Sequence, residues 1–181
     1  MTERKPIAEL FLEESLETFR GQKRLAERAV AQTSDEHLHV ALDEHTNSIA
    51  VMMQHIAGNL LSRWTDFLTS DGEKPWRERD REFVDDGKSR EELMRRWEKG
   101  WARLTATLEQ LTEDDLPKTV TIRGQERTAL REIEGAISHF GYHIGQIVLV
   151  ARHLARDDWQ TLSIPRGPGE SDKYNKRVWK S

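Results

Sequence analysis

The 181-residue chain contains no cysteine. Disulfide bonds, thiolate metal ligands and a cysteine nucleophile are therefore excluded, and the absence fits a reducing cytoplasm. No run of residues approaches the roughly 18 apolar positions needed to span a bilayer. No apolar stretch of the signal-peptide type follows the N-terminal residues either. We therefore expect a soluble, cytoplasmic protein with no membrane partner.

An excess of positive charge is also missing. Lys and Arg total 28 against 32 Asp and Glu, a formal net charge of −4, whereas nucleic-acid-binding domains usually display a basic stripe. No nucleic-acid partner is expected. The chain is 36% hydrophobic and 33% charged, which favours a helix-rich protein in a length typical of one domain. We expect one domain over residues 1–181, with a core over about 7–154 and a tail over 155–181.

Apolar residues recur at steps of three and four in four segments, which predicts four amphipathic helices. The predicted helices cover about 6–32, 47–68, 89–111 and 128–154. Asn47 is expected to cap the second helix, and Ser89-Arg90-Glu91-Glu92 is a capping box that opens the third. Thr119 to Ile122, followed by Arg123-Gly124-Gln125 and then Glu126 to Thr128, predicts a short β-hairpin. The predicted fold class is all-α, a four-helix bundle with a hairpin before the last helix and an irregular C-terminal tail.

The last predicted helix contains two histidines, His139 and His143, four residues apart. This spacing places both imidazoles on one helix face, with about 5–6 Å between their Cβ atoms. The pair lies at the edge of the apolar stripe, where two neutral imidazoles can each direct a ring nitrogen at one divalent metal. Two hydrogen-bonded structural histidines at a helix–helix interface are the alternative, and the pair alone does not distinguish between them.

His55 offers a third imidazole from the second predicted helix. It lies about 100° from the centre of that helix's apolar stripe, and His139 and His143 average the same offset in the same rotational sense. Asn59 shares the flank of His55, and Gln146 shares that of the pair. Two polar edges beside apolar faces predict a cavity lined by facing side chains. Three imidazoles leave open coordination positions, as catalytic metal sites do.

Two segments together resemble the DinB/YfiT-like superfamily, over about residues 7–154. They are Asn47-Ser48-Ile49-Ala50 followed by Gln54-His55-Ile56-Ala57-Gly58-Asn59, and Ser138-His139-Phe140-Gly141-Tyr142-His143-Ile144-Gly145-Gln146. Members of this superfamily are four-helix bundles with a three-histidine metal site, one histidine on the second helix and a His-x-x-x-His pair on the fourth. The resemblance implies His55, His139 and His143 as metal ligands.

Residues 64–72 and 163–167 resemble an uncharacterised branch of the same superfamily. Characterised members of the superfamily as a whole include transferases and an isomerase that use low-molecular-weight thiols such as bacillithiol, mycothiol or glutathione. The resemblance therefore implies a thiol as a second cofactor, but no thiol-binding residue of those enzymes corresponds to a position in this chain.

Three imidazoles suit Zn²⁺ or Ni²⁺ better than Mg²⁺ or Ca²⁺, which prefer oxygen ligands. A thiol coordinated to such a metal loses its proton and can attack an electrophile, so a thiol S-transferase acting on a small molecule is the first hypothesis. Activation of water, which would make a metal-dependent hydrolase, is the second. The third is a non-enzymatic metal-binding bundle of the stress response, for which the cavity beside the histidines should be closed or filled by side chains.

The long connector before the third helix and the outer face of the last helix both lead to predictions about the protein surface. Residues Asp71 to Lys88 form a charged connector that is long for a segment without structure, which predicts either a lid or a solvated surface. Tyr142 and Leu149 lie opposite the main apolar stripe of the last helix, so something must pack against them. The tail or a second subunit would do so, and a homodimer is therefore one expectation.

Overall fold

A computed structural model describes residues 5–178 of the chain. Within that range the chain forms five α-helices and one two-stranded antiparallel sheet. In chain order these are α1 (Ile7–Val30), α2 (Ile49–Trp64), α3 (Arg90–Leu108), β1 (Thr119–Ile122), β2 (Gln125–Thr128), α4 (Ala129–Ala155) and α5 (Glu170–Val178). The predictions of a mostly helical chain and of a hairpin before α4 are confirmed. None of the described helices is long and apolar enough to cross a membrane.

Helix α2 differs from its prediction at both ends. Ser48, not Asn47, is the N-cap, and its hydroxyl oxygen accepts a hydrogen bond from the Val51 amide at 3.2 Å. The helix ends at Trp64, a turn before the predicted end. Two residues later the backbone passes through Asp66 with a φ of 48°, in the left-handed region that no helix can continue through.

The hairpin turns at Arg123 and Gly124, which both have positive φ, 53° and 71°, as a tight two-residue hairpin turn requires. The Asp71 carboxylate accepts hydrogen bonds from both of their backbone amides, at 2.9 and 2.8 Å. The beginning of the connector between α2 and α3 is thereby fixed to the tip of the hairpin.

The core lies where the four long helices meet. Phe19 of α1 makes edge-on contacts with the rings of Trp64 on α2, Trp101 on α3 and Phe140 on α4, with centroids 6.0–6.5 Å apart. All four rings are buried, and edge-on packing is favoured by the aromatic quadrupole. Helix α2 is central, since it packs against α3 and α4 and is buried along almost its whole length.

The connector between α2 and α3 is not a structureless surface. It folds back over α2, and a short 3₁₀ helix at Arg79–Phe83 packs against that helix. The side chain of Arg77 is only 2% exposed, and Lys74 is buried as well. A solvated surface is therefore the wrong description of Lys74 and Arg77, because a buried cation needs partners inside the protein. Other connector residues, such as Trp76 and Arg81, are exposed as that prediction expects. A lid function stays a prediction.

The C-terminal tail is not irregular throughout, which corrects the prediction for residues 155–181. Periodicity is lost at the Pro- and Gly-rich stretch 165–169, but α5 begins directly afterwards with Glu170 in its first turn, where an acidic side chain is favourable. Gln160 and Gln32 exchange two hydrogen bonds, which dock the start of the tail against the turn that follows α1. Residues 179–181 of the predicted tail lie outside the described residues.

Tyr142 and Leu149 are 65% and 62% exposed. The described part of the tail therefore does not cover the outer face of α4. The homodimer that would cover it stays a prediction.

Candidate metal centre

Three imidazoles from two helices meet between α2 and α4. The Nε2 atom of His139 lies 3.3 Å from Nε2 of His55 and 3.1 Å from Nε2 of His143. A tetrahedral zinc ion with Zn–N bonds of about 2.0–2.1 Å keeps its nitrogen ligands about 3.3–3.4 Å apart. The structure thus brings together all three predicted residues, with their possible ligand atoms within 4.8 Å of one another, and the two separations at His139 are close to the zinc value. Their role as metal ligands stays a prediction.

Packing of the neighbouring residues orients these side chains. Ile56 and Phe140, which follow His55 and His139 in the chain, are fully buried in the core. Since successive helical positions are 100° apart, burying those two residues turns the histidines towards the gap between α2 and α4. His55 is 6% exposed and His143 is 9% exposed, so both imidazoles are largely shielded from water.

The outer nitrogens of two of the rings have defined partners. Nδ1 of His55 lies 3.0 Å from a Glu82 carboxylate oxygen, and Nδ1 of His143 lies 3.0 Å from Oε1 of Gln146. Both partners are acceptors, so each Nδ1 must bear the proton, and in the neutral ring Nε2 then has a free lone pair. Both lone pairs face Nε2 of His139, which has at most one proton to donate. Hydrogen bonding among the three histidines therefore cannot account for both contacts.

Burial keeps the imidazoles of His139 and His143 neutral. Burial, followed by the charges that His143 and His55 would acquire on protonation, lowers the pKa of His139 to about 4. Burial also lowers the pKa of His143. Neutral imidazole is the form that binds a metal, so at neutral pH the lone pairs of these two rings are available.

Glu82 is the partner of His55 and is itself held by a buried arginine. Arg77 donates two parallel hydrogen bonds to the Glu82 carboxylate, each 2.8 Å long. Burial by itself would raise the pKa of Glu82, but the hydrogen bonds from Arg77 and His55 outweigh it and lower the pKa. The carboxylate is therefore charged, and a carboxylate on the far nitrogen of a histidine increases its basicity as a metal ligand.

This ion pair extends outward to the hairpin. Arg77 also pairs with Glu73 at 3.5 Å, and Nε of Arg123 donates to the same carboxylate at 3.1 Å. Gly58 on α2 makes room for Glu82, since a Cβ at that position would overlap its carboxylate. Sequence reasoning missed Glu82 and Arg77, because they lie in an aperiodic connector where no spacing relates them to His55.

A cavity of about 310 Å³ opens beside His139. Polar side chains from α2, the hairpin and α4 line much of it: Asn59, Arg63, Gln125, Arg127, Glu132 and His139. A larger cavity of about 480 Å³ lies on the other side of Glu82, near Trp76, and none of the three histidines lines it. Of these two cavities, the smaller is therefore the one that gives a small molecule access to the His139 imidazole.

Residues 6–168 match a sequence family described as a protein of unknown function, DUF1572. The match covers most of the chain, which therefore belongs to this family. No curated protein and no solved structure matches the chain. The family description states no activity, so the function has to be inferred from the site.

Proposed function

We propose that this protein is a DinB/YfiT-like four-helix bundle that binds one divalent transition metal, zinc or nickel, through His55, His139 and His143. The observation that supports this most is the meeting of three Nε2 atoms. Glu82 and Gln146 orient two of their lone pairs. All three donors are imidazole nitrogens, which suit zinc and nickel and not magnesium or calcium. The packing of α2 against α3 and α4, and of α1 against α4, supports the bundle.

The activity that this centre supports best is transfer of a low-molecular-weight thiol to a small electrophilic substrate. Three protein ligands leave a coordination position open. A zinc or nickel ion bound there would hold a coordinated thiol as its thiolate. Glu82 keeps the lone pair of His55 directed into the centre, and the cavity beside His139 gives the small molecules access to it.

The cavity also bears on the non-enzymatic alternative. A bundle that binds metal only for structure would have this space closed or filled by side chains, but a volume of about 310 Å³ adjoins His139. The open cavity favours a protein that binds small molecules. A metal-dependent hydrolase remains the alternative enzyme, and thiol-independent turnover of esters or amides would favour it.

Metal analysis of the purified protein tests the centre. We expect about one zinc or nickel ion per chain, lost in His55→Ala and in His139→Ala. His153→Ala is the matched control, since this exposed histidine lies on α4 outside the cluster, and it should keep its metal. Unchanged metal content in both cluster variants would contradict the proposal.

Conjugation of a thiol to a chromogenic electrophile tests the reaction. The metal-loaded protein should accelerate the conjugation over the uncatalysed rate, and the His139→Ala variant should not. Cleavage of a chromogenic ester at a rate that does not depend on thiol, together with no conjugation, would replace the transferase by the hydrolase.

A further inference from the structure

The cavity beside His139 has an excess of cationic side chains. Three arginines line it, Arg63, Arg123 and Arg127, against one carboxylate, Glu132. Arg127 donates a hydrogen bond to Glu132 at 3.3 Å, and Arg123 donates to Glu73. Two of the three guanidinium groups therefore have carboxylate partners already.

Arg63 is the exception. Its side chain is only 15% exposed, and its nearest carboxylate oxygen, on Glu132, is 3.9 Å away, too far for a hydrogen bond. Within residues 5–178 its guanidinium donates no hydrogen bond. Burial lowers its pKa, although Glu132 opposes this shift. The fully enclosed atoms without a hydrogen-bond partner among the described residues do not include the Arg63 nitrogens. The five N–H donors of this guanidinium are therefore accessible from the cavity that Arg63 lines, and an acceptor would come from there.

Two more polar groups at this cavity lack partners among the described residues. Asn59 is 9% exposed and its side-chain amide makes no hydrogen bond there. Nδ1 of His139 makes none either, unlike Nδ1 of His55 and His143. The unpaired amide and guanidinium both come from α2, and both line the cavity that adjoins the candidate metal ligand His139.

The polar residues of α2 form a line that runs from the candidate metal centre into the cavity. His55, Asn59 and Arg63 follow one another at intervals of four residues, so they lie on one helix face in successive turns. At 1.5 Å per residue, about 12 Å of helix separates His55 from Arg63. This face therefore presents an imidazole, an amide and a guanidinium in sequence from the candidate metal centre into the cavity.

We propose that this cavity is a carboxylate-binding subsite, in which Arg63 pairs with the carboxylate of a small organic acid and Asn59 adds a hydrogen bond. A guanidinium matches a carboxylate with two parallel hydrogen bonds, and such charge-assisted bonds are the strong ones. The subsite depends on Arg63 and Asn59 alone. That its occupant is the thiol or the electrophile of the reaction rests on the proposed function.

The test compares an acid with its neutral amide on the metal-loaded protein. Calorimetric titrations use 3-mercaptopropionate and 3-mercaptopropionamide, which share a thiol and differ in the carboxylate. Wild type should bind the acid at least about tenfold more tightly than the amide. Arg63→Gln should weaken binding of the acid by about tenfold to a hundredfold and leave the amide unaffected.

Control variants separate the subsite from folding. Arg103→Gln removes an exposed arginine of α3 outside the cavity and should bind both probes as wild type does, while Arg63→Lys should recover part of the preference for the acid. Asn59→Asp keeps Arg63 but adds a negative charge. It should weaken binding of the acid without changing the amide, and it serves as the test if Arg63→Gln does not fold. Equal acid-to-amide ratios in wild type and in the folded variants would overturn the proposal.

A second arm uses metal-free protein, so that failure of the metal centre and failure of the subsite can be told apart. Succinate and inorganic phosphate are titrated while the NMR signals of the arginine Nε–H groups are followed. Saturable binding of succinate that is lost in Arg63→Gln supports the subsite even if the protein binds no metal. Absence of saturable binding in wild type overturns the subsite, and tighter binding of phosphate than of succinate overturns the carboxylate assignment.

Discussion

The two helices that supply the histidines hold their imidazoles in different ways. His55 of α2 pairs with Glu82, which is 27 residues away in the connector and is itself held by Arg77. His143 of α4 pairs with Gln146, one turn further along the same helix. The α4 arrangement forms as soon as the helix does. The α2 arrangement exists only when the connector has folded back over α2.

The two sides also differ in electrostatics. On the α2 side a buried, charged pair orients the ring, with the Arg77 side chain 2% and the Glu82 side chain 11% exposed. On the α4 side the partner is a neutral amide, and Nδ1 of His139 has no partner within the described residues. The α2 side should therefore respond most to removal of a charge, and the α4 side should respond most to pH.

Removing the charge at Arg77 should have the largest effect. Arg77→Met leaves Glu82 buried without its bidentate partner, and we expect the free energy of unfolding to fall by about 3 kcal/mol. Denaturant titration of metal-free protein measures this change. Arg81→Met is the control, because that side chain is 79% exposed, and it should change stability by less than about 0.5 kcal/mol. Equal effects of the two substitutions would show that the buried pair does not support the fold.

Lowering the pH should act on the α4 side. An unfolded histidine takes up its proton near pH 6.5, whereas burial holds the pKa of folded His139 at about 4. Between these values the unfolded state binds more protons, so the free energy of unfolding should fall as the pH is lowered from 6.5 to 4. The loss is on the order of 2 kcal/mol, discounted for the water that reaches the ring through the cavity.

Denaturant titrations of metal-free protein across this pH range measure the loss. His139→Asn should flatten the pH dependence, whereas His153→Gln, at an exposed position of the same helix, should retain it. A pH dependence that is unchanged in His139→Asn would refute the prediction.

Neutralising Glu82 should weaken zinc binding. In Glu82→Gln the side chain keeps its size but loses its charge, and we expect about a tenfold to a hundredfold loss of zinc affinity. Competition with a chromogenic chelator measures it. Glu78→Gln, at an exposed position of the same connector, should bind zinc as wild type does. If both variants have the same affinity, Glu82 does not support the ligand.

Removing the amide at Gln146 should have the smallest effect. Gln146→Leu deletes the Nδ1 partner of His143, but α4 still positions the ring and water can accept the proton. We expect zinc affinity to fall by less than about tenfold, measured by the same competition. A loss larger than that of Glu82→Gln would reverse the comparison between the two sides.

Much of this architecture could be predicted because it depends on local geometry. The apolar periodicity of residues 128–154 defines α4 within a residue at each end, and any helix there places His139 and His143 on one face. The angular position of His55 beside the stripe of α2 follows from the same 100° step. The hairpin was likewise predicted from the short β-prone runs on either side of Arg123-Gly124-Gln125, whereas its two positive-φ positions were first seen in the structure.

The remainder depended on contacts between residues far apart in the chain. Glu82 and Arg77 lie in a connector with no period, so its path over α2 could not be derived from spacing. The end of α2 at Trp64 and the helix in the tail were missed for the same kind of reason, since packing decides where a weak helical pattern stops or starts.

The residues alone therefore determined that three imidazoles would be available on the flanks of two helices, because helical spacing is a local property. Only the tertiary structure decided which lone pairs face the centre, because Glu82 reaches His55 across the folded connector. The tertiary structure also decided which side chains line the cavity beside His139. In the sequence Arg63 is a charged residue near the end of a largely apolar helix, and its spacing does not relate it to a cavity. In the folded protein it is a half-buried cation without a hydrogen-bond partner among the described residues, beside the candidate metal centre.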